Sequence, residues 1–397
     1  MSSEGLPGNT SKWLLEAQQL GLVGKSIHEY GLASSGSKIE RTQFLLLYIL
    51  WLDKEGKDLE SKYKDNKYMH EAMSFLYEGE IKGIWSNYLK SINEPLRYIM
   101  LGAFSLVRYH QRQTMFWKFL KGDTPSKVDF SPVASRTRSQ ANKIQTEPKT
   151  PTRASKESSL ENTFKLLHIR DPPSEPPAAP SSKTPSSSPS TPPGQRDTYH
   201  PPGARFGAIE DEQIVNTALI EYLNALAIHY PKLEADWTLH RLPLTARNNA
   251  GQKTYEARTD GYLKRRSDGA PLVILEVKPH RRTPKKNETR MQEAAQMAAW
   301  ISQYPPRNLE SMRANKLKDE RLLISQDKDE IFLTFAEFDA SYVDYICHQR
   351  PDSSSHLTMN EYGPFQVSSE SAMKQLGQLV LGLVLYYCEH GNFGSSR

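Results

Sequence analysis

Residues 259–278 run TDGYLKRRSDGAPLVILEVK, and this stretch decides the fold of the C-terminal half of the chain. Its LVIL segment is a short, continuous run of strand-forming residues, which indicates a buried strand. Asp268-Gly269 is a strong hairpin signal, so we expect the chain to turn there and bring Asp260 beside Glu276. Side chains alternate across a strand, so Glu276 and Lys278 share one face. Two carboxylates and an ammonium group are therefore expected to meet at one point.

This set of side chains has a chemical use. Paired carboxylates with room for water suit Mg²⁺ (or Mn²⁺), which prefers oxygen ligands. A metal held there would polarise a phosphoryl oxygen and lower the pKa of a bound water, while a lysine would position that water. The alternative is a hairpin whose exposed polar residues happen to be charged.

The helix predicted before this hairpin carries a further acid. Residues 211–226 place Val215, Leu219 and Leu223 on one stripe at helical spacing, and Glu212 falls on the same stripe. A carboxylate that faces the core needs a partner or a metal ion, because burying an unpaired charge is costly. The alternative is that Glu212 lies in the first helical turn, where acids are favourable and stay solvated.

A second helix is predicted after the hairpin, at residues 287–303, with Asn287 as its cap. Its glutamines share a face with Ala299 and Trp300; they are Gln292, Gln296 and Gln303. Such a face can lie close to a sheet and offer amide groups to the site.

In this order, the residues resemble the PD-(D/E)XK nuclease superfamily, in the form common in fungal genomes. The resemblance covers roughly residues 205–390 and lacks the motif's proline, since Thr259 precedes Asp260. It implies that Asp260 and Glu276 bind the metal, with Glu212 as a further ligand, and that Lys278 positions the water. It also implies a helical glutamine at the site, and spacing does not choose between Gln292 and Gln296.

The resemblance implies a restriction-endonuclease-like fold of the α/β class, a mixed β-sheet flanked by helices. Strands at 237–242, 321–325 and 331–335 and a closing helix at 371–387 fit that fold. The implied activity is metal-dependent cleavage of DNA, or less readily of RNA.

Basic residues surround the expected site and are candidates for contacts with phosphate groups. They are Lys264, Arg265, Arg266, Arg281, Arg282, Lys285 and Lys286. A charge run of this kind is also typical of a solvated loop or a nuclear import signal. Their position next to the carboxylates favours nucleic acid as the partner.

The chain has 397 residues and a formal charge of +5, enough length for two domains. Residues 1–120 are predicted to be an all-α domain without an evident role, with helices at 41–52, 68–88 and 95–119. Residues 121–204 hold more than half of the 26 prolines and are predicted to be a disordered linker. The nuclease-like domain is placed at 205–392.

Two cysteines without metal-ligand spacing fit a reducing compartment. No apolar run is long enough to span a bilayer, and the first ten residues lack the apolar stretch of a signal peptide. We expect an intracellular, nuclear protein that does not contact membranes.

Two further hypotheses remain open. The nuclease-like fold could be inactive and bind nucleic acid or protein, with the N-terminal helices supplying contacts to a protein partner. The whole chain could also be an accessory protein with a vestigial site.

Overall fold

The computed structural model describes residues 5–30, 35–63, 65–93, 101–116, 207–248, 251–348 and 355–391. The linker predicted at 121–204 lies outside these residues.

The N-terminal part is mainly helical and contributes one strand. Its helices are α1 (Thr10–Gln19), α2 (Ile27–Tyr30), α3 (Arg41–Leu46), α4 (Gly56–Tyr63), α5 (Lys67–Tyr77), α6 (Lys82–Asn93) and α7 (Phe104–Phe116), and its strand is β1 (Ile49–Lys54).

The C-terminal part alternates strands and helices. Its helices are α8 (Gly207–Ala227), α9 (Lys286–Gln303), α10 (Leu309–Asn315), α11 (Ala340–His348) and α12 (Glu370–His390). Its strands are β2 (Ala235–Thr238), β3 (Pro243–Arg247), β4 (Lys253–Arg258), β5 (Gly261–Arg265), β6 (Pro271–Lys278), β7 (Lys318–Asp327), β8 (Glu330–Asp339) and β9 (Leu357–Gln366).

Seven of the described strands form one mixed sheet in the order β1-β9-β8-β7-β6-β5-β2. Strand β1 is parallel to β9 and β6 is parallel to β7, whereas the other neighbours are antiparallel. Strands β3 and β4 form a separate antiparallel hairpin.

Strand β6 lies inside the sheet and is covered on both faces, which explains its continuous apolar run. Helices α8 and α12 contact β6, and α9 contacts β3, β4 and β7. The predicted mixed sheet with flanking helices is therefore confirmed, whereas its likeness to restriction endonucleases stays a prediction. Among the described residues, no helix is both long and apolar enough to cross a membrane.

The predicted helices and strands of the C-terminal part are present and most are longer than expected. The strand predicted at 237–242 is the exception, because β2 (Ala235–Thr238) ends four residues earlier. Helix α9 begins one residue before Asn287, so the prediction that Asn287 caps it is wrong. Three strands were not predicted, because β3 and β4 are polar and β9 contains glycine and proline.

The N-terminal part does not form a body of its own. Residues Met1–Trp117 and Pro202–Arg397 form one compact unit, and the second unit, Lys118–Pro201, lies outside the described residues. The apolar run predicted as a helix at 41–52 forms α3 and then β1, which extends the sheet. The N-terminal helices and the C-terminal part thus belong to one compact unit. The predicted boundaries at residues 120 and 204 lie outside the described residues and stay predictions.

Candidate active site

Strands β5 and β6 place Asp260 next to Glu276. Gly261 pairs with Leu275 in the antiparallel register. The residue before Gly261, Asp260, therefore lies opposite the residue after Leu275, Glu276. The Asp260 N–H donates to the Leu275 carbonyl at 2.9 Å, and the Val277 N–H donates to Asp260 Oδ2 at 3.0 Å. Asp260 is thus fixed against β6 through both its backbone and its side chain.

The hairpin between the two strands turns at Gly269, whose φ of 72° lies in the left-handed region that glycine tolerates. The Gly269 N–H donates to the Arg265 carbonyl at 2.9 Å. The predicted Asp-Gly hairpin is confirmed, and Lys264 and Arg265 lie in β5, before the turn.

Glu276 is 1% exposed, and both of its oxygens accept hydrogen bonds. Oε1 accepts from the Lys278 ammonium and from Gln292 Nε2 at 2.5 Å, and Oε2 accepts from Gln296 Nε2 at 2.6 Å. Gln292 and Gln296 lie one helical turn apart on α9, so both reach the same carboxylate. The spacing left a choice between the two glutamines, and the structure brings both to the site.

Burial and neighbouring charges shift the pKa values of Glu276 and Lys278. Burial and, after it, the charge of the neighbouring Asp260 carboxylate raise the pKa of Glu276 to about 8. For Lys278, burial acts to lower the pKa, but the carboxylates of Glu276 and Asp260 outweigh it and raise the pKa above its usual value. Lys278 therefore keeps its charge, and it shares a face with Glu276 as strand alternation predicts.

Glu212 reaches the site through an arginine that the sequence did not suggest. Arg241, in the connection between β2 and β3, places its Nη2 3.1 Å from Glu212 Oε1 and 2.9 Å from Asp260 Oδ1. Burial raises the pKa of Glu212, and the charge of Asp260 raises it further. The pattern of α8 predicted that Glu212 needs a partner, but nothing in the sequence identified Arg241, 29 positions away.

A second polar cluster lies beside the site. The Arg282 side chain is 3% exposed and contacts Glu293 at 2.5 Å and Asp327 at 2.7 Å, as well as Glu361. Arg290 also contacts Glu361. Burial raises the pKa of Glu293 to about 7. This buried network joins the loop after β6 to α9, β7 and β9.

The prediction that Arg282 contacts nucleic acid is therefore wrong, because its guanidinium is buried among carboxylates. Four of the other basic candidates form ion pairs with acids: Arg265 with Asp268 at 3.0 Å, Arg266 with Asp236 at 2.7 Å, Arg281 with Asp329 at 2.5 Å and Lys286 with Asp53 at 3.4 Å. Lys264 and Lys285 are exposed. The predicted contacts of these six residues with nucleic acid stay predictions.

Within the described ranges, no group of three or more His, Cys, Asp or Glu side chains is arranged to hold a metal ion. Two carboxylates, those of Asp260 and Glu212, are nevertheless bridged by one cation, the guanidinium of Arg241. Gln296 Oε1 is buried and has no hydrogen-bond partner among the described residues. The side-chain atoms that face Arg241 are carboxylate oxygens, the ligand type that Mg²⁺ prefers; metal binding at this position stays a prediction.

No family model matches the chain, and neither a curated protein nor a solved structure matches it.

Proposed function

We propose that this protein hydrolyses phosphodiester bonds of DNA in a metal-dependent reaction. The observation that carries the proposal is the meeting of Asp260, Glu276 and Lys278 at the ends of two paired strands. Glu276 is buried beside a second carboxylate and in contact with an ammonium group. Burying such a set is costly unless it is used or neutralised.

Asp260 and Glu276 would hold Mg²⁺ or Mn²⁺, and Glu212 would join them directly or through water. When bound, the metal would polarise a phosphoryl oxygen and lower the pKa of the attacking water. The Lys278 ammonium orients that water and offsets the negative charge that develops on the phosphate. Gln292 and Gln296 hold the Glu276 carboxylate in one orientation, as hydrogen-bond partners of metal ligands do.

The exposed basic residues support a polyanionic substrate. Lys264, Lys285 and Lys286 are exposed, and contacts from such residues to phosphates give affinity without reading sequence.

The alternative is a nuclease-like domain that binds nucleic acid or protein without cleaving it. Two observations favour it: both Glu276 oxygens already accept hydrogen bonds, and Arg241 already bridges Glu212 and Asp260. For a protein partner, α1 and the turn after it expose Leu15, Leu20 and Val23.

The two proposals make different predictions about DNA, because the first expects cleavage and the second expects none. The full chain is incubated with plasmid and with single-stranded DNA in Mg²⁺, and separately in EDTA. The nuclease proposal expects nicking or degradation only with the metal, and none from Glu276→Gln, which keeps the side-chain volume. Glu212→Gln should slow cleavage, whereas Glu221→Gln on the same helix, where the acid pairs with His110, should not. Binding of DNA and Mg²⁺ without any cleavage would favour the alternative, a nuclease-like domain that binds nucleic acid without cutting it.

The role of Lys278 is tested by Lys278→Met, which keeps the aliphatic stem. We expect turnover to fall by about 10²- to 10³-fold, the usual effect of removing one group that stabilises developing charge. Affinity for DNA and Mg²⁺ should stay within a few-fold of wild type, measured by titration without turnover. An unchanged rate would remove Lys278 from the mechanism.

A further inference from the structure

Arg241 touches the two acids that the site needs for a cation. A single guanidinium nitrogen, Nη2, lies 3.1 Å from Glu212 Oε1 and 2.9 Å from Asp260 Oδ1. One acid lies in α8 and the other is the residue before β5, so nothing in local chain geometry requires them to share one partner. The shared partner defines a cation position between them.

The charges explain why this position is filled. Glu212 Oε1 and Asp260 Oδ1 both lie within 3.1 Å of one nitrogen atom, so the two carboxylates are close enough to repel each other when both are ionised. A cation between them relieves that repulsion. The Arg241 guanidinium serves in this role without any external ion.

The surroundings of Arg241 allow it to leave. Its side chain is 52% exposed, whereas the Asp260 side chain is 7% exposed. Arg241 lies in the short connection between β2 and β3, outside both strands. When Arg241 leaves, its exposed guanidinium is hydrated by water, and the incoming divalent cation takes over as the partner of the buried Asp260 carboxylate.

We infer that Arg241 is a built-in counter-ion that occupies the metal position and is displaced when a divalent cation binds Glu212 and Asp260. This inference rests on the proposed function. It predicts that Arg241 sets the metal concentration at which the site fills, because every ion that binds must first break the two Arg241 contacts. Removing the guanidinium should therefore strengthen metal binding.

The test uses the full chain, stripped of metal and titrated with Mn²⁺ alone by calorimetry. Arg241→Gln should bind Mn²⁺ roughly tenfold more tightly than wild type, which corresponds to about 1.4 kcal/mol. Arg241→Lys, which keeps the charge, should bind close to wild type. Arg247→Gln is the matched control, because that exposed arginine hydrogen-bonds only the Gly251 carbonyl in the described structure and touches neither acid.

A second measurement keeps the test independent of metal affinity. Without metal, Arg241→Gln should lower the melting temperature, since the two carboxylates lose their counter-ion, and Mn²⁺ should restore it. Mn²⁺ should raise the wild-type melting temperature by a smaller amount.

The possible outcomes distinguish a failure of the Arg241 inference from a failure of the proposed metal-dependent function. If wild type and Arg241→Gln bind Mn²⁺ equally, or the variant binds more weakly, the displacement inference is overturned while the metal site stands. If neither binds Mn²⁺, the proposed function fails as well. If Asp260→Asn in the Arg241→Gln background still binds Mn²⁺ tightly, the ion lies elsewhere and the inference is overturned.

Discussion

At the scale of single residues, the pKa of Glu276 has consequences for stability and for metal binding. A carboxyl group with a pKa of about 8 keeps its proton in most molecules at neutral pH. Because the pKa is raised on folding, the stability that Glu276 contributes is present at low pH and is lost as the pH rises through about 8. A metal ligand must be ionised, so metal binding has to expel this proton.

Metal affinity should therefore depend on pH. We expect the affinity for Mn²⁺ to rise between about pH 6.5 and about pH 8.5, with up to one proton released per ion bound. Calorimetry in two buffers of different ionisation enthalpy counts the released protons. Glu276→Gln should lose both the tight binding and its pH dependence. An affinity that stays flat across this range would mean that Glu276 is not a ligand.

At the scale of elements, α9 serves two sets of contacts at once. One part of its surface carries Gln292 and Gln296 to Glu276. Another carries Arg290 and Glu293 into the buried network around Arg282. The network thus fixes the height and rotation of α9 against β6 and β7, and with them the positions of the two glutamines.

Two arginines in ion pairs of different burial allow this role to be measured. Arg282→Met leaves buried carboxylates without their cation and should lower the free energy of unfolding by about 3–5 kcal/mol. Arg266→Met removes a pair with Asp236 in which the two side chains are 51% and 52% exposed, and should leave the free energy of unfolding nearly unchanged. Denaturant unfolding at one pH compares the two. Similar losses for both variants would show that the buried network does not hold α9.

The sequence predicted those parts of the site that depend on local patterns. The Asp-Gly turn and the alternation of β6 placed Asp260, Glu276 and Lys278, and helical spacing brought forward Gln292 and Gln296. Contacts between residues that are far apart along the chain produce no local sequence pattern, so they were not predicted. No feature of the sequence distinguishes Arg241 from the other arginines. Likewise, the basic run around Arg282 does not indicate whether its side chain is buried or exposed.

The same limit applies to β1. Residues 41–52 form a long apolar run, and periodicity alone cannot distinguish a buried strand from a buried helix. The partner of β1 is β9, with Ile49 opposite Leu357, and β9 was itself not predicted. A pairing across some 300 residues is set by the assembled sheet and not by either segment alone.

At the scale of the whole molecule, the N-terminal helices are packed closely onto the C-terminal part. A Cβ on Gly377 of α12 would lie 2.5 Å from the Trp85 ring of α6. Trp85 is fully buried and its ring lies 5.4 Å from that of Tyr88. The absence of a side chain at Gly377 therefore lets α6 approach α12.

A pair of glycine substitutions tests this contact. Gly377→Ala should lower the free energy of unfolding by about 1–3 kcal/mol, because the added methyl group overpacks a rigid ring. Gly83→Ala, in α6, meets no atom within 4 Å and should stabilise by about 0.5–1 kcal/mol through helix propensity. Thermal and denaturant unfolding of both variants give the comparison. A neutral or stabilising Gly377→Ala would mean that the helices are not in close contact.

The contribution of the N-terminal part to the sheet leads to a prediction about fragments. Strand β1 covers the edge of β9, and the Trp51 Nε1 donates to Glu361 at 3.2 Å. Residues 202–397 alone would expose that strand edge and the surface of α12 that packs on α6, both of which favour aggregation.

We therefore expect 202–397 expressed alone to aggregate, and co-expressed pieces 1–117 and 202–397 to form a one-to-one complex that melts in a single transition. Size-exclusion chromatography with light scattering measures the first two results, and calorimetry measures the third. Trp85→Ala in the first piece removes the ring that packs against Gly377 and should weaken the complex. A monomeric 202–397 piece that unfolds cooperatively by itself would restore the two-domain organisation, with the nuclease-like part folding independently of the helices.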